Sequence, residues 1–349
     1  MGSEAREAPW RSASPASIVL AGGLVALAAA LGGLCAGAVS VSPAHVWSAL
    51  AGGSGQGSAS VTPMEHNVVL LIRLPRVVAA LCVGAGLGVA GCMLQALLCN
   101  PLASPFVIGA SAAAGFGAVS SILLGLSYVL TLGSSFALAT GSGFLVVALA
   151  RGGGRLPRES LVLTGFSVGL LFGALTGLVE YATTEEAQLR EMVLWMLGGL
   201  WRITWDPLIV LVPGTLLCLL AAARFSRELD LLALGEDDAV RLGLDATRAR
   251  AAVLVLSALL TALAVSVSGV IAFVGLVVPH LARRFVGVTH GRLLPASAFL
   301  GAIFLVIADT VARTAFLPNE LPLGVVTSLV GIPFFLWVQR AGRRGGVAA

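Results

Sequence analysis

Three sets of residues in this chain could do chemistry by type and spacing. Gly86, Gly88 and Gly91, inside GAGLGVAG (84–91), spell G-x-G-x-x-G. At a strand-to-helix turn that spacing cradles the pyrophosphate of a dinucleotide. Ser111 in GASA (109–112), with His280 further on, offers a nucleophile and a base, the minimum for covalent catalysis. Asp309 and Arg313 stand four residues apart, and Arg73 and Arg76 (RLPR) stand three apart. Each pair can share one helix face and there hold or pass charge.

What surrounds these residues decides between the chemistries. The glycines lie midway along an apolar run from Val77 to Leu98. No strand precedes them, no helix starts within them, and about 20 positions on the chain reads VIGASAAAG, without an acid. The dinucleotide fingerprint needs all three. Gly84 and Gly88 also form G-x-x-x-G, which lets membrane helices approach closely, and Gly91 extends that thin face. Gly84, Gly88 and Gly91 are therefore expected to pack helix on helix. Ser111 sits in a Gly/Ala-rich helix, where serine is ordinarily a packing residue, and nothing else supports a peptidase. All 21 basic residues are Arg, and Lys is absent. A P-loop needs a Lys on the phosphates, and a pyridoxal enzyme needs a Schiff-base Lys. This chain is read as no enzyme, with no cofactor. The five Cys lie in or beside apolar runs without C-x-x-C, and the four His are scattered. Neither a disulfide framework nor a metal site is expected.

The elements that must position these residues are membrane helices. The 349 residues are 58% hydrophobic and 11% charged, against about 25% charged in a soluble domain. Spanning segments are expected at about 18–41, 68–98, 105–128, 131–150, 160–182, 205–223, 250–269, 271–288, 293–312 and 323–340. Each is near the roughly 20 residues that cross a ~30 Å hydrocarbon core. The fold class is an all-α polytopic membrane protein of about ten transmembrane helices. Threaded with the N-terminus inside, sixteen of the 21 Arg fall inside and only Arg73, Arg76, Arg190, Arg202 and Arg313 outside. Both termini are then cytoplasmic: a tail at 1–16, one transmembrane domain at 17–340 and a tail at 341–349. An external loop spans 42–66, with a short helix signal and a Gly/Ser-rich piece. A cytoplasmic segment spans 224–250.

Two clusters look outward from this frame. Arg73, Arg76 and Arg313 would put three positive charges on the outer face, suiting an acidic protein partner. Pro75 is expected near a helix start, where it is tolerated. Within 224–250, Leu231, Leu232, Leu234, Val240 and Leu242 alternate with charge, and Gly235 and Gly243 punctuate them. That pattern reads as an amphipathic helix, either an ordinary solvated loop helix or one that docks a cytoplasmic partner. A proton- or ion-coupled transporter would need more acids along its spans than Asp309 provides.

These same stretches resemble the permease family of ABC importers for iron-siderophores, haem and cobalamin, the FecCD type. The resemblance is carried by RLPRVVAALCVGAGLGVAGCMLQALLCNPLASPFVIGAS (73–111), GVIAFVGLVVPHLARRFVG (269–287) and ADTVARTAFLPNELPLGVVTSLVGIPFFLW (308–337). LALGEDDAVRLGL (232–244) looks like the family's coupling segment, and MLGGLWRITWDPL (196–208) resembles its external element loosely. It runs in the family's order from about residue 65 to the C-terminus.

The resemblance implies a homodimer in the bacterial cytoplasmic membrane. A dimeric ATP-binding-cassette ATPase would dock below, and a periplasmic or extracellular substrate-binding protein above. Besides these partners it implies the lipid bilayer and no nucleic acid. It assigns binding-protein docking to Arg73, Arg76 and Arg313. It assigns ATPase coupling to Leu234, Gly235, Glu236, Asp237, Val240, Arg241, Leu242, Gly243 and Leu244. Iron-siderophore is the expected cargo, with haem or cobalamin as alternatives.

Overall fold

The structure is a computed structural model that describes residues 14–51, 62–152 and 154–345. Most of the N-terminal tail, the Gly/Ser-rich piece of the external loop and the end of the C-terminal tail lie outside the described residues. So do the side chains of Val107, Glu236, Asp237, Val338 and Gln339 and those from 341 on, and with them part of the coupling assignment.

Helices follow one another in the order α1 Pro15–Cys35, α2 Pro43–Leu50, α3 Pro63–Asn67, α4 Leu74–Leu97, α5 Ala110–Leu123, α6 Tyr128–Ala150, α7 Arg158–Ala182 and α8 Glu186–Leu197. Then come α9 Trp205–Arg224, α10 Ser226–Leu234, α11 Glu236–Arg241, α12 Ala246–Ser268, α13 Val274–Val286, α14 His290–Thr314 and α15 Leu323–Gly345. Among the described residues, seven continuous helices are long and apolar enough to cross a membrane: α1, Pro63–Leu97, α6, α7, α9, α12 and α14. Shorter apolar helices are Ala110–Leu123 and Leu323–Trp337. The protein is a multi-pass, all-helical membrane protein.

Helix α4 is the axis of the bundle. Every residue from Val83 to Leu97 is buried, which is why this stretch is apolar all round rather than on one stripe. Helices α14, α12, α13 and α9 pack around it. Helices α1, α7 and α9 show most of their apolar surface outward, with 22%, 17% and 28% of their spanning windows buried. That is the pattern of helices whose outer faces meet hydrocarbon or another subunit.

Two expectations are corrected. Pro75 does not open a helix. The helix begins at Pro63, behind the Thr62 cap, and a π-helical turn over Val68–Arg73 leads into Pro75. A wider turn there absorbs the missing N–H that would otherwise break the ladder. The spans expected at 105–128 and 271–288 are not full-length helices. α5 has 14 residues and α13 has 13, about 20 Å each at 1.5 Å per residue. Irregular chain at 98–104 and 269–273, with a short 3-10 helix at Pro105–Ile108, supplies the remaining length, and Pro105 meets Gly275 where the two segments cross. Non-helical backbone is tolerated at membrane depth only when it is packed inside protein. Gln95, 3% exposed, lies at the crossing, with its Nε2 3.3–3.4 Å from the carbonyls of Ala103, Gly275 and Leu276. Its Oε1 accepts from Arg283 Nη1 at 2.6 Å.

Candidate functional site

Polar contacts gather at the two ends of the bundle, and each end collects segments that the arginine-based threading put on one side. At the outer end, Gly199 N–H donates to the Ser268 carbonyl and Leu323 N–H to the Gly198 carbonyl. At the inner end, the start of α7, α10 and the start of α14 meet.

At the outer end the three arginines come together, but inside the protein. Arg73, Arg76 and Arg313 are 4%, 5% and 6% exposed. Arg73 Nη1 donates to the carbonyls of Leu34 (2.7 Å) and Cys35 (3.0 Å), and its Nη2 to that of Val39. Arg313 donates to the carbonyls of Gly33 (2.7 Å) and Ala36 (3.1 Å). The last carbonyls of a helix lack intrahelical partners and carry its negative dipole end, so two guanidiniums clamp the end of α1. Arg76 Nε holds Asp309 Oδ1 at 2.8 Å, and Arg313 Nε lies 3.2 Å from Asp309 Oδ2. Arg76 Nη1 reaches Glu320 Oε2 at 2.8 Å, and Glu320 is 37% exposed at its side chain. The expectation of three free outward charges is therefore corrected. Each guanidinium already has internal partners, and the cluster meets solvent at Glu320.

The glycines of α4 make the closest helix contacts. A Cβ added at Gly84 would strike the carbonyl of Gly301, at Gly88 that of Ser297 and at Gly91 that of Gly275. The first two belong to α14 and the third to α13, so one glycine row admits two helices to the core. Ser111 and His280 are not brought together. Ser111 Oγ is buried without a hydrogen-bond partner, and His280 stands edge-on to Phe334 at 6.5 Å between ring centroids.

At the inner end, the 224–250 segment forms two short helices rather than one, broken at Gly235 (φ 122°), where a side chain would strain the backbone. Leu229 and Leu232 are fully buried, whereas Leu234, Val240 and Leu242 are more than half exposed. Arg241, Gly243 and Asp245 are also exposed, and Leu244 is half-buried. Beside them opens a hollow of about 750 Å³ lined by Arg155, Pro157, Val240, Arg241, Leu244 and Thr247, among others.

Helix α10 is also tied to three spans. The Leu232 carbonyl accepts from Arg158 Nη2 at the start of α7 (3.2 Å) and from Cys99 Sγ beyond α4 (3.2 Å). Asp230 Oδ1 accepts from both the backbone N–H (2.8 Å) and Nδ1 (2.7 Å) of His290, the first residue of α14. Partial burial pushes the Asp230 carboxyl up, but the two His290 hydrogen bonds outweigh it and leave the group below the ordinary carboxylate value. Sequence reading missed Asp230, Arg158, Cys99 and His290. Their one visible signal is Asp230, an acid among the leucines of an amphipathic segment.

Comparison with known proteins matches the chain and its fold. The profile of the FecCD transport family matches residues 18–341. The hemin transport system permease protein HmuU of Yersinia pestis is 38% identical over 332 residues, 90% of this chain and 94% of that one. The molybdate import system permease protein MolB of Haemophilus influenzae is 34% identical over 287 residues, 82% of this chain and 85% of that one. A solved structure described as an inward-facing conformation of a metal-chelate type ABC transporter superposes with a TM-score of 0.81. It shares 32% identity and covers 92% of this chain and 97% of the other.

Proposed function

The chain belongs to the FecCD transport family, and from that premise we propose that it is the membrane-spanning subunit of a bacterial ABC importer. It pairs with a second copy of itself in the cytoplasmic membrane to form the pathway. A separate ATPase dimer docks on the inner face, and an external binding protein delivers cargo to the outer face. The domain is residues 17–340, with 224–250 as the coupling segment and both termini cytoplasmic. Iron-siderophore is the first choice of cargo, with haem or cobalamin as alternatives. Relatives named for hemin and for molybdate differ widely in cargo, so the choice must be argued from this chain's own residues.

The observation that carries the reading is the inner hub. An ATP-driven permease needs a surface that grips the ATPase and a rigid path from that surface into the spans. Exposed Leu234, Val240 and Leu242 supply the grip in the helix-in-groove manner. The bonds from α10 to α14, to α7 and to the turn after α4 supply the path. The test is Leu242→Asp. This exposed side chain is expected to be removable without harm to the fold. ATPase copurification should fall and uptake should fail, while thermal unfolding stays unchanged. Normal uptake by this variant would remove the coupling role of α10 and α11.

Docking of the binding protein is kept at Arg73, Arg76 and Arg313 in altered form. An acidic side chain from outside would reach Arg76 by replacing Glu320, because Glu320 is the cluster's solvent-facing carboxylate.

A further inference from the structure

A cavity of about 410 Å³ opens at the outer end between α8, the turn at 199–202, the end of α12 and the start of α6. Two guanidiniums, Arg190 and Arg202, and three aromatic rings, Tyr128, Trp195 and Trp201, line it. Glu191 is the single carboxylate among its lining residues. Glu191 pairs with Arg202, whose guanidinium also lies over the Tyr128 ring, 5.4 Å from its centroid. Arg190 is exposed and, among the described residues, forms no ion pair. The cavity therefore carries one uncompensated positive charge.

The platform is held in place. Gly199 donates to the Ser268 carbonyl at 2.8 Å, which fixes the turn. The Trp201 ring lies on Gly199 so closely that a Cβ there would displace it. Rigid rings with two cations set against them are suited to a ligand with a flat aromatic face and anionic oxygens. Guanidiniums grip such oxygens in pairs, and the rings stack on the face. The volume fits a drug-sized ligand or one arm of a larger chelate.

We propose that this cavity is an outer binding site for an anionic, aromatic chelate of the catecholate kind. The proposal rests on the permease reading and narrows its cargo. A neutral or cationic trihydroxamate offers neither the aromatic face nor the charge.

The test uses the full-length protein in phosphatidylcholine nanodiscs and equilibrium binding of two radio-iron complexes. One is the anionic ferric tris(2,3-dihydroxybenzoate) complex, the other the cationic ferric desferrioxamine complex. Saturable binding is expected for the first and at least about tenfold weaker binding for the second, the discrimination that one charge-assisted hydrogen bond supplies. Arg190→Gln and Trp201→Ala should each weaken the first complex by about tenfold, and Arg190→Lys should weaken it less. Both side chains are exposed, so thermal unfolding should not move. Equal binding of the two complexes, no saturable binding, or binding indifferent to Arg190→Gln and Trp201→Ala overturns the proposal. Uptake driven with the ATPase is measured separately. If uptake persists while binding fails these criteria, the cavity proposal falls and the permease reading stands. If the wild-type chain with its ATPase and its binding protein supports no uptake, it is the permease reading that fails.

Discussion

Asp309 shows how far residue-level reading reaches. Its i, i+4 partner Arg313 is legible in the sequence, and the pair forms. Its stronger partner, Arg76, lies 233 residues away and is not legible. Neither are the α1 carbonyls that hold Arg73, because local spacing carries no information about which helix end lies alongside. With Asp309 1% exposed, removing Arg76 leaves a buried carboxylate with only its longer contact to Arg313, and breaking a buried pair costs about 3–5 kcal/mol. Arg76→Ala is therefore expected to lower the unfolding temperature in detergent, and a charge reversal at Arg73 and Arg76 would misfold rather than report on docking. Glu320→Gln separates the two effects. It leaves the Arg76–Asp309 pair intact and frees one side of the guanidinium, so a binding protein should dock more tightly. Weaker docking by Glu320→Gln, measured by surface plasmon resonance, would mean that Glu320 contributes to the partner's site rather than competing with it.

At the scale of elements, hydropathy found every long span and misjudged two short ones. VSGVIAF (267–273) is as apolar as the helix it leaves, so no composition signal marks the irregular chain at 269–273. Only Gln95 and the crossing of Pro105 with Gly275 explain why the break is tolerated. The division of 224–250 into α10 and α11 was partly legible, since Gly235 was already a punctuation mark. The link from α10 to α14 was not, because His290 begins a span 60 residues on. If this link carries motion, Asp230→Asn should lower cargo transported per ATP hydrolysed in proteoliposomes while leaving ATPase association intact. An unchanged ratio would reduce the link to packing. Its pH response has a definite sign. The folded carboxyl lies below its ordinary value, so the stabilisation is complete above about pH 4 and is lost as pH falls through the folded value. Hydrogen exchange in α10 should then quicken only in more acid solution, and Asp230→Asn should abolish that acid-dependent change.

At the scale of the molecule, two sets of glycines separate what holds one chain together from what would join two. Gly84, Gly88 and Gly91 meet backbone carbonyls of α13 and α14 within the chain. Gly173 and Gly177 repeat the G-x-x-x-G spacing on α7, yet nothing lies within 4 Å of a Cβ added at either. They face outward beside exposed Phe166 and Leu170. Small residues without an internal neighbour permit close approach of another membrane helix, and the proposed homodimer needs such a helix. Gly88→Leu should therefore prevent folding, because its added atoms overlap a fixed carbonyl and overpacking has no room to relax. Gly177→Leu should leave the monomer's unfolding temperature unchanged and split the dimer, seen by native mass spectrometry as a shift toward single 35.4 kDa chains. A Gly177→Leu protein that stays dimeric would move the dimer axis away from α7, leaving that face to lipid. A Gly177→Leu protein that unfolds would show that α7 packs within its own chain.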